Sequence, residues 1–242
     1  MRRKNKIIIV VLIVFFSLII GSFIYLNSGG YKAFKNTNLA FIDNEKVGFS
    51  SESNNYIWTP IEETNKGFIF YPGGKVDEKA YAPVLKDIAE EGIKVIMISM
   101  PFDLAVFNIN AADSVISKEE KIDWYIGGHS LGGAMAANYA NRNENKIKGL
   151  ILWASYPAKS DSLVDFKKDV LLLYGDKDMG VDGIEKNISL LPSKAKIDMK
   201  SGANHAQFGY YGPQKGDGVA EIDLVEQQKW ILETTVNFIK EK

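Results

Sequence analysis

One pentapeptide of the chain has the types and spacing for covalent chemistry. Gly128-His129-Ser130-Leu131-Gly132 sets a serine between two glycines, where the apolar run "DWYIG" gives way to the alanine-rich pattern "LGGAMAANYANR". A G-x-S-x-G sequence with a strand before it and a helix after it is the context that holds a serine hydroxyl at a sharp turn above a sheet. Bulkier neighbours than Gly128 and Gly132 would crowd that backbone. The helix beginning at Leu131 aims its N–H groups at the place where negative charge develops. Ser130 is therefore the expected nucleophile.

A serine hydroxyl is a poor nucleophile at neutral pH and needs a base. The chain has 2 histidines. His129 adjoins Ser130 in the turn, where neighbouring side chains diverge, so packing or hydrogen bonding beside the turn is its expected role. His205, in "SGANHAQFG", follows the strand-like "AKIDMK" and stands where a base would face the nucleophile. An acid should orient the imidazole. "VLLLYGDKDMGVD" ends an apolar run and presents Asp176, Asp178 and Asp182. Asp176 is expected to serve the turn, Asp182 to be available as a helix cap, and Asp178 to be the acid. A tetrahedral intermediate needs two N–H donors. The Leu131 amide is one, and the loop Pro72-Gly73-Gly74-Lys75 offers the other, with Gly74 first and Lys75 as the fallback.

These residues need a scaffold that brings loops to one edge. "LAFID", "NYIWTPI" and "GFIFYP" read as opening strands, and "AYAPVLKDIAEEG" has helical spacing closed by Gly92. From "IKVIMISM" onward, apolar β-branched runs alternate with helical segments. They end in the amphipathic "DLVEQQKWILETTVNFIKEK". That alternation predicts an α/β fold, a mostly parallel sheet with helices on both faces. The closely spaced opening strands suit an antiparallel edge.

With these pieces in place, the segment from Gly67 onward resembles the α/β-hydrolase superfamily, close to its small lidless bacterial members of the dienelactone-hydrolase-like kind. "FYPGGKVD", "GGHSLGGAMAA", "LLLYGDKD" and "GANHAQFGYYGPQKGDG" carry the resemblance. It implies a Ser130–Asp178–His205 triad and esterase-type hydrolysis of a small-molecule ester. The chain departs from dienelactone hydrolases, which use a cysteine nucleophile, and Pro72-Gly73 stands where the oxyanion loop commonly has His-Gly. Lids in this fold usually enter after the strand corresponding to "GLILWAS". The 15 residues that follow, "YPAKSDSLVDFKKDV", are too few for a helical one. An open mouth bordered by Phe102, Leu104, Tyr156, Phe208, Tyr210 and Tyr211 is expected.

The chain has 242 residues, 46% of them hydrophobic, and no cysteine, which excludes disulfides, thiolate metal sites and thiol catalysis. Residues 7–26 form an uncharged run long enough to span a bilayer, preceded by Arg2, Arg3, Lys4 and Lys6, which should stay on the cytoplasmic side. Residues 1–28 are expected to be an uncleaved signal-anchor, 29–37 a linker, and 38–242 an extracytoplasmic hydrolase domain at the cell membrane, secreted if the anchor is cleaved. Without Arg2, Arg3, Lys4 and Lys6 the formal net charge of −1 becomes −5 (−1 minus 4), and a mildly acidic exported part gives no support for a nucleic-acid partner; no ligand spacing implies a metal or other cofactor. An acyltransferase or peptidase would use the same triad. A non-catalytic anchored binding module is the alternative from another class.

Overall fold

Runs that are apolar at nearly every position become the interior of one sheet, because a strand covered on both faces has no polar side to show. The computed structural model describes residues 11–18, 20–21 and 30–241. Its strands are β1 (Val47–Glu52), β2 (Asn55–Pro60), β3 (Lys66–Tyr71), β4 (Lys94–Met97), β5 (Asp123–His129), β6 (Gly149–Trp153), β7 (Asp169–Gly175) and β8 (Lys196–Lys200). They form one eight-stranded sheet in the order β1-β2-β4-β3-β5-β6-β7-β8. Pairing is antiparallel from β1 to β2 and from β2 to β4, and parallel throughout the rest. Within the unit Tyr31–Lys242 the α-helices are α1 (Ala82–Glu90), α2 (Ala112–Ile116), α3 (Leu131–Arg142), α4 (Val181–Asn187) and α5 (Leu224–Lys240).

Alternate side chains of the strands feed two cores. Phe68, Phe70, Trp153, Leu171 and Leu173 pack with α1 and α5. Ile69, Ile126, Leu150, Leu152 and Leu172 pack on the other face with α3. The register Gly67↔Trp124 to Tyr71↔Gly128 sets the carboxyl ends of β3 and β5 side by side. The strand order reverses there, since β4 lies beyond β3 on one side and β6 beyond β5 on the other. A crevice outside such a switch point is where open α/β sheets bind ligands.

Backbone strain gathers at the same edge. Of the described non-glycine residues with positive φ, Ser53 and Asn54 make the two-residue β1–β2 turn, where that conformation is ordinary. The other five, Lys75, Phe102, Asp103, Ser130 and Ala154, lie in the loops that follow β3, β4, β5 and β6.

Three expectations need correction. "LAFID" is not a strand: Leu39 and Phe41 belong to a 3-10 helix, Lys35–Phe41, and the sheet begins at Val47. The expected linker is part of the domain from Tyr31 onward. The chain divides into Met1–Gly30 and Tyr31–Lys242; Tyr31 bridges Val76, Ala33 bridges Tyr211, and the Phe34 N–H donates to the Tyr210 carbonyl at 2.9 Å. Asp182 is no cap, since α4 starts after Gly180 and Asp182 sits within its first turn. In the expected anchor, residues 11–18 and 20–21 are helical, and the rest of the 7–26 run lies outside the described residues. No helix among the described residues is long and apolar enough to cross a membrane.

Candidate active site

The turn from β5 into α3 is a single residue long. Ser130 has φ 52° and ψ −122°, a region that costs a non-glycine residue on the order of 1–3 kcal/mol and persists only where packing enforces it. Here the enforcement is backbone against backbone. A Cβ on Gly132 would fall on the Tyr71 and Pro72 carbonyl oxygens, and one on Gly128 would fall on the Tyr71 oxygen and within 2.7 Å of the Gly132 carbonyl carbon. The Ser130 N–H donates to the Trp153 carbonyl at 3.0 Å. Its own carbonyl accepts the Ser155 hydroxyl at 2.7 Å as well as the first helical N–H, from Ala134. Ser155, absent from the sequence reading, thus clamps the turn from β6.

His205 and Asp178 come together as expected. The imidazole Nδ1–H donates to Asp178 Oδ2 at 2.8 Å, with both side chains buried. Asp178 Oδ1 accepts the Gly180 N–H at 2.6 Å, which fixes the carboxylate's other oxygen. With Nδ1 engaged, Nε2 is left as the acceptor nitrogen; it is buried and has no hydrogen-bond partner. The structure therefore contains the His205–Asp178 pair, while a hydrogen bond from Ser130 Oγ to His205 Nε2 is not formed. Asp176 serves the turn as expected, accepting the Gly202 N–H at 2.7 Å and the Ser201 hydroxyl at 3.2 Å. Sequence reasoning passed over Asp217, whose carboxylate accepts the N–H groups of His205, Ala206 and Met179.

The amides of the loop after β3 are unequal. The Gly73 N–H donates to the Tyr81 hydroxyl at 3.2 Å, and the Lys75 N–H donates to the Asp103 carbonyl at 2.8 Å. The Lys75 fallback is therefore already committed elsewhere. No hydrogen bond from the Gly74 or Leu131 N–H is formed among the described residues. The two residues adjoin, since a Cβ on Gly74 would lie 2.9 Å from Leu131 Cδ2.

His129 has the packing role expected of it. It is fully buried, stacked on Phe208 at 5.4 Å between centroids, with its Nδ1 2.8 Å from the Tyr81 hydroxyl. Burial, and then the neighbouring His205, push its pKa well below the usual histidine range, so it is neutral at pH 7. Phe208 and Tyr211, expected at the mouth, are core residues: Phe208 is sandwiched against His129 and Trp230, and Tyr211 packs on Tyr31. Phe102 is exposed and pairs edge-on with exposed Phe107 at 5.7 Å. A cleft lined by Glu63, Asn65, Lys118 and Lys121 lies at the opposite edge of the sheet, where β3 and β5 begin, away from this chemistry.

A strained serine between strand and helix, with a buried histidine–carboxylate pair contributed by later loops of the same sheet edge, defines the hydrolase class of α/β proteins. The chain matches the alpha/beta hydrolase family over residues 67–229. It belongs to that family and is a hydrolase. No protein with a curated description matches it by sequence. Among solved structures, a dienelactone hydrolase of Anabaena variabilis superposes with a TM-score of 0.61 at 15% identity, covering 78% of this chain and 97% of that one. A carboxylesterase, CesB, of Bacillus subtilis gives 0.58 at 11% identity, covering 86% and 96%. Est1E of Butyrivibrio proteoclasticus gives 0.56 at 16%, covering 80% and 98%. These likenesses concern the fold, including the lack of a large lid: between β6 and β7 the only regular element is the 3-10 turn Lys159–Asp161.

Proposed function

We propose that the protein is a serine esterase that cleaves a carboxylic ester through an acyl-enzyme intermediate. Ser130 Oγ attacks the ester carbonyl carbon while His205 Nε2 takes its proton, and Asp178 holds the imidazole in the required tautomer and stabilises it when charged. The tetrahedral oxyanion accepts hydrogen bonds from the N–H groups of Leu131 and Gly74. Collapse expels the alcohol, which receives the proton from His205. Water, deprotonated by the same nitrogen, then releases the acid and restores Ser130.

The observation that carries this reading is the buried His205 Nδ1–H···Asp178 bond, which leaves Nε2 unpartnered on an imidazole whose centroid is 4.4 Å from that of His129, the residue before Ser130. Catalytic hydrogen bonds are often unformed before substrate arrives, so the reading requires Ser130 Oγ to reach His205 Nε2 in the substrate complex. Neighbours in fold named dienelactone hydrolase and carboxylesterase favour an ester over an amide. Hydrolysis of short p-nitrophenyl esters and fluorophosphonate labelling test it. Both should be lost in Ser130→Ala, and turnover should be lost in His205→Ala. A His205→Ala enzyme with near-full turnover would sink the assignment of the base.

The uncharged run at 7–26 and the four basic residues before it favour a single-pass anchor with the hydrolase domain extracytoplasmic. Recovery of the full-length chain in the membrane fraction is the expected result, and a soluble species beginning near residue 28 would replace the anchor with a cleaved signal.

A further inference from the structure

Asp217 sits on a strap, residues 216–218, that crosses both loops of the base–acid pair. Its Oδ1 accepts the N–H of His205 at 3.1 Å, of Met179 at 3.1 Å and of Gly218 at 3.0 Å. Its Oδ2 accepts the N–H of Ala206 at 2.8 Å. Two of these donors belong to the base and the residue after it, and a third belongs to the residue after Asp178. One half-buried carboxylate therefore joins the backbone that carries the imidazole to the backbone that carries its partner.

The strap has little freedom. Gly216 has φ 89°, and a Cβ on Gly218 would fall on the Lys177 carbonyl oxygen, to which the Gly218 N–H donates at 3.1 Å. The Gly218 carbonyl accepts from Asn204 Nδ2 at 2.9 Å. Asn204 is held in turn by Gln227 of α5, which is fully buried and exchanges two hydrogen bonds with the Asn204 backbone, at 3.1 and 2.8 Å. The clamp is thus referred to a rigid helix.

We infer that Asp217 is a positioning residue for the catalytic pair, holding His205 and Asp178 at hydrogen-bonding separation; the inference rests on reading His205 as the base. The chemistry requires a carboxylate, because donors arrive at both oxygens. An asparagine has one acceptor and must turn its NH2 group toward either the Oδ1 donors or the Ala206 N–H, so one side meets donor against donor. A catalytic group displaced by about 1 Å loses on the order of 100-fold in rate, and outer partners of a functional histidine typically contribute about 10- to 100-fold.

The test uses the full-length protein with Asp217→Asn, Asp217→Glu and His205→Ala. Asp217→Asn should lower kcat on p-nitrophenyl acetate by roughly 10- to 100-fold, with KM within about threefold because no substrate contact is removed. It should also weaken or broaden the low-field proton resonance of His205 Nδ1–H. Asp217→Glu, which keeps the charge and both acceptors, should recover part of the rate. A residue that only supports folding would lower the melting temperature and leave kcat and the low-field proton of the folded enzyme unchanged; that result, or unfolding of both Asp217 variants, overturns the inference. If His205→Ala stays active, the reading of the base fails first. If His205→Ala is dead while Asp217→Asn keeps kcat within twofold, only the role of Asp217 fails.

Discussion

The two halves of the candidate site are built by different physical means. The Ser130 turn is backbone packed on backbone: the Gly128 and Gly132 main chain lies against the Tyr71 and Pro72 carbonyls with no room for a methyl group. The His205–Asp178 half is side chain bound to backbone. Asp176, Asp178, Asp217 and Asn204 each accept N–H groups from loops and from the start of the 3-10 helix Ala206–Phe208 that have no strand or helix partner for them. The first construction tolerates almost no added volume. The second tolerates volume but not the loss of an acceptor, because a buried donor without one costs about 1–3 kcal/mol.

The sharpest break of that contrast is Asp178→Asn. The substitution adds no volume but turns an acceptor into a donor, so the melting temperature should fall by the equivalent of only about 1 kcal/mol. The amide NH2 facing His205 Nδ1 would favour the opposite tautomer, placing a proton on the nitrogen that must accept one. The expected loss in kcat is about 10³- to 10⁴-fold, measured on p-nitrophenyl acetate beside a thermal melt. A variant that kept kcat within tenfold would show that the pair is structural. On the other half, Gly132→Ala should behave in reverse, destabilising by about 3 kcal/mol or more because backbone carbonyls cannot move aside. Gly48→Ala in β1 is its control, with nothing within 4 Å of the added carbon, and should stay within about 0.5 kcal/mol of the parent in urea unfolding.

The same contrast explains what the sequence revealed. Backbone sterics are written locally, so five consecutive residues, read with an apolar run before them and alanines after, located Ser130 and its turn. The apolar runs from β4 onward, alternating with helical segments, located the parallel sheet for a similar reason, whereas β3, read with the antiparallel opening strands, lies inside it, parallel to β4 and β5. Side-chain clamps are not local. The contacts of Asp217 reach back 11, 12 and 38 positions, and nothing in "QKGDG" distinguishes a carboxylate that binds four amides from one that faces water. Leu39 and Phe41 misled in the opposite way. Their alternation resembles a strand, but Ala40 between them is the buried residue, and its carbonyl accepts from the Trp58 indole at 2.8 Å. Phe208 and Tyr211 failed as mouth residues because an aromatic close in sequence to His205 can equally be the wall behind it.

Tyr81 joins the two constructions, since its hydroxyl accepts from the Gly73 backbone and bonds the His129 side chain. Tyr81→Phe preserves the packing and deletes only those bonds, leaving the Gly73 N–H and one imidazole nitrogen without partners. A loss of about 2 kcal/mol is expected in urea unfolding, with kcat falling less than in Asp178→Asn. A loss under 0.5 kcal/mol would mean that water reaches both groups.

The smallest effect concerns pH and isolates His129. Its pKa in the folded protein is lowered, chiefly by burial, whereas the unfolded chain should titrate near 6.5. Below that value the unfolded state binds a proton at this residue that the folded state refuses, so stability falls as pH falls, by at most about 1.4 kcal/mol per pH unit. Glu78, whose pKa burial raises, acts in the opposite sense but is common to parent and variant. His129→Gln keeps a polar group for Tyr81 and removes the titration. The variant should be less stable than the parent at pH 7.5, and the gap should narrow by roughly 1 kcal/mol between pH 6.5 and 5.5. A gap that stays constant across urea titrations at those three pH values would mean that the buried imidazole accepts a proton as readily as an exposed one, and the dry packing of the turn against Phe208 would be wrong.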